Sequence, residues 1–178
     1  VKAITSYDYV FTSMNFDNQS YDVRKPAKLP ADLAVNVKND SKVDFSKDLT
    51  FTNCRTILEQ ILNGTKNVGI INVSRSDDGI LRKVPPFVVY QNNFYPHLTL
   101  LVGLKYLNAK NNTRDFSIDS NSNLVVENRT LPLDKDGGVI LNWYGPAGKS
   151  FSQVPLYKII KAMEGDNDAL CFQFNDQL

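Results

Sequence analysis

Val68-Gly69-Ile70-Ile71-Asn72-Val73-Ser74-Arg75-Ser76-Asp77-Asp78-Gly79-Ile80-Leu81-Arg82-Lys83-Val84-Pro85 is the stretch on which the fold class turns. Two runs rich in β-branched residues, Val68–Val73 and Ile80–Tyr90, flank a polar segment ending in Asp-Gly. That order reads as an antiparallel hairpin with a loop longer than two residues. Gly79 supplies a positive φ in the turn. Arg82 can pair with Asp77 or Asp78, making a structural corner rather than a ligand clamp. Pro85 and Pro86 cannot donate ladder bonds, so the second strand is bulged or lies at an edge there.

Beyond Tyr90, Gln91-Asn92-Asn93 is a turn and Phe94-Tyr95 opens a brief strand. Pro96 fits the first turn of a helix, where its missing N–H is no loss. Leu98, Leu101, Val102 and Lys105 with Tyr106 follow helical spacing, and Gly103 reads as a site of close packing against a sheet. Towards the N-terminus, Thr52–Gly64 has the strongest helical pattern. Thr52 or Asn53 would cap it, Ile57, Leu58, Ile61 and Leu62 would form its apolar face, and Gly64 would end it in the left-handed conformation. Residues 3–11 and 31–37 read as strands, 12–30 as a polar loop and 39–48 as a charged connection.

Towards the C-terminus, Phe116–Ile118 and Leu124–Val126 form a hairpin around Asp119–Asn123. Asp134–Gly138 turns into a strand over Val139–Tyr144, and Pro155–Met163 is a helix with Leu156, Ile159, Ile160 and Met163 on one face. Leu170–Phe174 is a last strand or a tail. The sum is an α+β (mixed α/β) fold, a central, largely antiparallel sheet with about three helices packed on it.

The 178 residues correspond to one domain, 1–178, on size alone. With 20 basic and 19 acidic residues the net charge is +1, and no basic stripe marks a nucleic-acid or anionic membrane surface. No apolar run reaches the ~18 residues of a membrane span. The start at Val1 rather than Met reads as a segment of a longer protein. Cys54 and Cys171 belong to no Cys-x-x-Cys pair, so zinc is disfavoured, and two buried thiols are preferred over a disulfide. Asn-x-Ser/Thr sequons at Asn18, Asn39, Asn63, Asn72, Asn111 and Asn128 fit an Asn-rich composition, and Asn72 falls inside an apolar strand.

Catalytic chemistry finds little support. His97 is the single histidine. It has no Gly-x-Ser-x-Gly elbow, and packing at a helix start explains it better than a triad. Adjacent Asp77 and Asp78 would point to opposite faces of a strand, which suits no acid–base pair. Asp134-x-Asp136-Gly-Gly resembles a calcium-loop fragment but lacks further oxygen ligands, so a turn is preferred and no metal is expected. Gly145-x-x-Gly148-Lys149-Ser150 is too short for a phosphate loop. Trp143 beside Tyr144 would suit a sugar platform if exposed, but in an apolar strand it is expected in the core.

The ordered set Val68–Val73, Asp78-Gly79-Ile80-Leu81-Arg82-Lys83-Val84-Pro85, Phe94-Tyr95-Pro96-His97-Leu98 and Leu131–Gly145 resembles the type-two CHASE domain, over about residues 52–163. Two family features, an opening β–α–β unit and a closing Lys-x-Val strand, are not evident. The resemblance implies a non-enzymatic, extracytoplasmic sensor module of a bacterial receptor. Membrane helices would flank it, and a cyclase, histidine kinase or serine/threonine kinase would be the output. It implies an unidentified small-molecule or protein signal, a possible homodimer and no cofactor. Asp77, Asp78, Arg82, His97 and Trp143 are the candidate sensing residues. A secreted carbohydrate-binding or adhesion domain is the alternative.

Overall fold

A computed structural model describes residues 10–19, 29–45, 49–73, 75–107, 115–146, 150 and 155–164. The chain divides into two units, Val1–Leu141 and Asn142–Leu178. In the first unit, β1 (Thr12–Asp17) is followed by a 3-10 turn (Ala31–Leu33), β2 (Asn36–Asn39), β3 (Thr50–Phe51), β4 (Asn53–Arg55) and α1 (Glu59–Leu62). Then come β5 (Val68–Ile70), β6 (Lys83–Val84), β7 (Phe87–Tyr90), β8 (Asn93–Pro96) and α2 (Leu98–Tyr106). β9 (Asp115–Ile118), β10 (Asn123–Val126), β11 (Arg129–Pro132) and β12 (Val139–Ile140) complete it, and α3 (Leu156–Met163) belongs to the second unit. The mixture of strands and helices is the expected α+β class.

The strands pair as β4-β1-β5, β11-β10-β9-β2, β12-β6 and β3-β7-β8, with antiparallel and parallel neighbours mixed. Single bridges Val35–Phe94 and Ile70–His97 join β8 to the approach to β2, and the residue after β8 to the end of β5. β7 and β8 separate two hydrophobic clusters by strand alternation. Val88, Tyr90 and Tyr95 join Met14, Phe16, Val68 and Ile70 in one cluster. Phe87, with Val89 and Phe94 packed alongside, joins Phe45, Phe116, Ile118 and Leu124 in the other. A strand buried on both faces reads as a continuous apolar run, which is what Phe87-Val88-Val89-Tyr90 is.

Several expectations change. Val68–Val73 and Ile80–Tyr90 do not form a hairpin together. β5 runs parallel to β1, β6 pairs with β12, and β7 pairs with β3 and β8. The hairpin is β7–β8, closed by Gln91 and Asn92 at φ 49° and 62°. Two consecutive positive φ values match the right-handed twist of the strands they join. Pro85 and Pro86 stand where the chain changes ladder partners, from β12 to β8.

The helix expected over 52–64 shrinks to Glu59–Leu62, because Asn53–Arg55 pairs with Asp17–Asn15 of β1. Gly64 follows it without left-handed backbone. The polar segment from Thr12 contains β1, whose Met14 and Phe16 alternate inward. β1 and β5 are parallel neighbours, with β2, β3 and β4 as well as α1 between them in the chain. Pro96 ends β8, and α2 starts at Leu98. The β9–β10 hairpin and the 134–138 turn form as expected, while the strand after that turn is confined to Val139–Ile140. The strands expected over 3–11 and 170–174 lie wholly or largely outside the described residues, as do Gly148 and Cys171, while Gly145 stands at φ 139°.

Candidate functional site

The signature stretch is tied together by its own side chains. Asn72 continues β5 alongside β1 with its amide. Its Oδ1 accepts from the Phe16 N–H at 2.9 Å and its Nδ2 donates to the Phe16 carbonyl at 2.7 Å. Gly69 is required by space. A Cβ there would stand 2.5 Å from the Leu98 Cα and 2.7 Å from the Leu98 N, so the start of α2 lies directly on β5.

Asp78 and Arg82 are brought together as expected. The guanidinium donates to the carboxylate at 2.8 and 2.6 Å, and Asp78 Oδ1 also accepts from the Ile80 N–H at 3.1 Å. Arg82 holds the Asp78 carboxyl below the usual carboxylate range, with the Ile80 amide adding to it. Gly79 has φ 79°, and its N–H closes the turn on the Ser76 carbonyl at 2.7 Å. The ion pair is exposed, and Asp77 is exposed beside it.

His97 is buried and belongs to a different environment. It is the N-cap of α2, with Nδ1 accepting from the Thr99 N–H at 3.2 Å and 2.8 Å from the Thr99 hydroxyl. Nδ1 as acceptor leaves the neutral ring's proton on Nε2. Nε2 makes no hydrogen bond of normal geometry. Burial pushes the imidazole below its ordinary pKa, against the weaker pull of the nearby Asn72 carbonyl. Trp143 lies in the second unit and, contrary to its expected core position, is 65% exposed, with Tyr144 also exposed. The strand that was to bury it ends at Ile140.

The loop resembling a calcium fragment already holds a cation. Lys83 Nζ lies 2.7 Å from Asp134 Oδ2 and 2.7 Å from Asp136 Oδ2. Asp134 Oδ1 accepts from the Asp136 and Gly138 amides at 3.0 and 2.7 Å. Burial opposes ionisation of Asp134, and the Lys83 bond with those amides outweighs it, so its pKa falls. The bonds to Asp134 and then Asp136 raise that of Lys83. Cys54 is a free thiol, pushed up to about 12 by burial and then by Asp17, which makes it a poor nucleophile.

Sequence reasoning missed a cavity of about 320 Å³. One face of α2, through Leu100, Gly103, Leu104 and Leu107, forms a wall. The Val84–Pro86 segment with Val139 and Leu141, and the β10–β11 hairpin through Val126, Arg129 and Leu131, form the others. Gly103 is not a close-packing site. No atom lies within 4 Å of a Cβ built there. The one available signal was a glycine inside a helix of leucines, which costs about 1 kcal/mol relative to alanine.

A family model described as the CHASE2 domain matches residues 2–178. The chain belongs to the CHASE2 domain family. CHASE2 is a family of sensory domains of receptors rather than of catalytic ones. The match takes in the N-terminal third, where the motifs gave no sign of it. No curated protein and no solved structure matches the chain. No helix among the described residues is long and apolar enough to cross a membrane.

Proposed function

We propose that this CHASE2 domain is the extracytoplasmic input module of a bacterial transmembrane receptor whose output is a nucleotide cyclase or a sensor kinase. The observation that carries the reading is the family match along the whole chain. The mechanism is a shift between two conformations that a signal binds unequally, passed to flanking membrane helices in a homodimer. The domain itself performs no chemistry. In support, the signature residues are engaged in the fold: Asn72 with β1, Gly69 under α2, Asp78 with Arg82. Within the candidate sensing set, Asp77, Asp78, Arg82 and Trp143 are accessible to a signal, while His97 would act through packing.

The test is the output of the full-length receptor, measured as cyclic nucleotide or phosphoryl transfer, with this domain intact and with it deleted. Changed output on deletion is expected. A gene product with neither membrane helices nor an output domain around this chain would sink the proposal. The exposed Trp143–Tyr144 pair is the observation favouring the alternative, a carbohydrate-binding or adhesion domain. Retention on an oligosaccharide column that is lost in Trp143→Ala would support it.

A further inference from the structure

We infer that the cavity beside α2 is a binding site for a small amphipathic carboxylate, its apolar body in the cavity and its head on Arg129. This deepens the sensor reading and rests on it, supplying the ligand class. The volume, about 320 Å³, falls at the small end of the range of ligand pockets. Its lining is aliphatic apart from Thr99 and Arg129. The Thr99 hydroxyl is engaged with His97 Nδ1 at 2.8 Å, which leaves Arg129 as the polar group for an occupant.

Charge complementarity selects the head group. Among the described residues no carboxylate pairs with Arg129, whereas Arg55, Arg82 and Lys83 each have an acidic partner. A guanidinium beside an apolar hollow takes a monocarboxylate as a bidentate partner and repels an amine. Sugars and nucleotides would leave many polar groups unmatched against leucine and valine. Gly103 points the same way. It has no positive φ and no close neighbour, so what its missing side chain provides is room.

An occupant would touch α2, the β6–β12 ladder and the β10–β11 hairpin at once. α2 is in turn joined to β5 through the His97–Ile70 bridge. Filling the cavity therefore bears on the relative positions of these elements, which is what a sensor requires.

The test is calorimetric titration of the 178-residue chain with octanoate, octanol and octylamine, with amide NMR shifts at Gly103 and Leu104 locating the site. Octanoate should bind saturably, about tenfold tighter than octanol, the value of one charge-assisted hydrogen-bonded contact. Octylamine should bind weakest. Arg129→Gln should reduce octanoate to the affinity of octanol. Gly103→Leu should abolish binding of both while the melt shows a folded chain, and Gly103→Ala, which folds with less risk, should weaken both. No saturable binding of octanoate overturns the inference. So does equal binding of acid and amine, or binding unchanged in both the Arg129 and Gly103 variants. An output unaffected by deleting the domain sinks the sensor reading whatever binds, and absent octanoate binding with a responsive receptor sinks the carboxylate site alone.

Discussion

The two ends of α2 meet opposite conditions. At its start, Gly69 of β5 lies so close to Leu98 that a single methyl would overlap backbone. One turn and a half further on, Gly103 faces a space that no atom reaches within 4 Å. The same residue type serves close approach in one place and vacancy in the other. The seam around Gly69 also holds the Asn72 amide on Phe16 and His97 Nδ1 on Thr99, while the buried His97 Nε2 has no hydrogen-bond partner among the described residues. Around the cavity, Arg129 is without an acidic partner among the described residues. The family signature thus runs through both regions, since Val84, Pro85, Leu131, Val139 and Leu141 of the cavity wall belong to it as Gly69 and Asn72 of the seam do.

Gly69→Ala strikes this contrast hardest. The obstacle is the Leu98 backbone, which cannot rotate away as a side chain would, so α2 must move off β5. Overpacking of this kind costs about 3 kcal/mol. A urea titration should show the midpoint falling with little change in slope. An unchanged midpoint would mean that the seam is loose and that the two ends of α2 do not differ.

Asn72→Ala comes next. It removes both bonds to Phe16 and leaves a part-buried N–H and carbonyl without those partners, at a cost of about 2 kcal/mol. Asn72→Asp keeps the acceptor for the Phe16 N–H and faces the carbonyl with a second acceptor. It should be no better than the alanine. If Asp restored full stability, the amide would not be the closing member of the β1–β5 ladder.

What the sequence shows of this molecule is mostly what is local. The Asp78–Arg82 pair, Gly79 in its turn, the β9–β10 hairpin and α3 each depend on residues within a few positions of one another. Partner choice is not local. Val68–Ile70 and Phe87–Tyr90 are strands by composition, but β5 pairs with a β1 that offers Met14 and Phe16 as its buried residues, both hidden in a polar segment. Ile57, Leu58, Ile61 and Leu62 are spaced for a helix, yet the residues before them are claimed by β1, and Leu58 faces solvent. Of the candidate sensing residues, Asp78 and Arg82 meet. His97 is placed by burial and Trp143 by the early end of β12, and neither of these is encoded by spacing. A cavity leaves no pattern at all, because it is made by a side chain that is missing.

Gly103→Ala is therefore the smallest change and the most discriminating. If the glycine served packing, as at Gly69, the added methyl would destabilise the domain. The open space around it predicts the opposite sign. Alanine restores helix propensity worth up to about 1 kcal/mol and meets nothing, so the melting temperature should rise. A single substitution of the same kind, glycine to alanine, would then unfold one end of the helix's environment and strengthen the other. A fall in stability at Gly103 would show that α2 closes onto its surroundings in solution, and the cavity would lose its claim to a ligand.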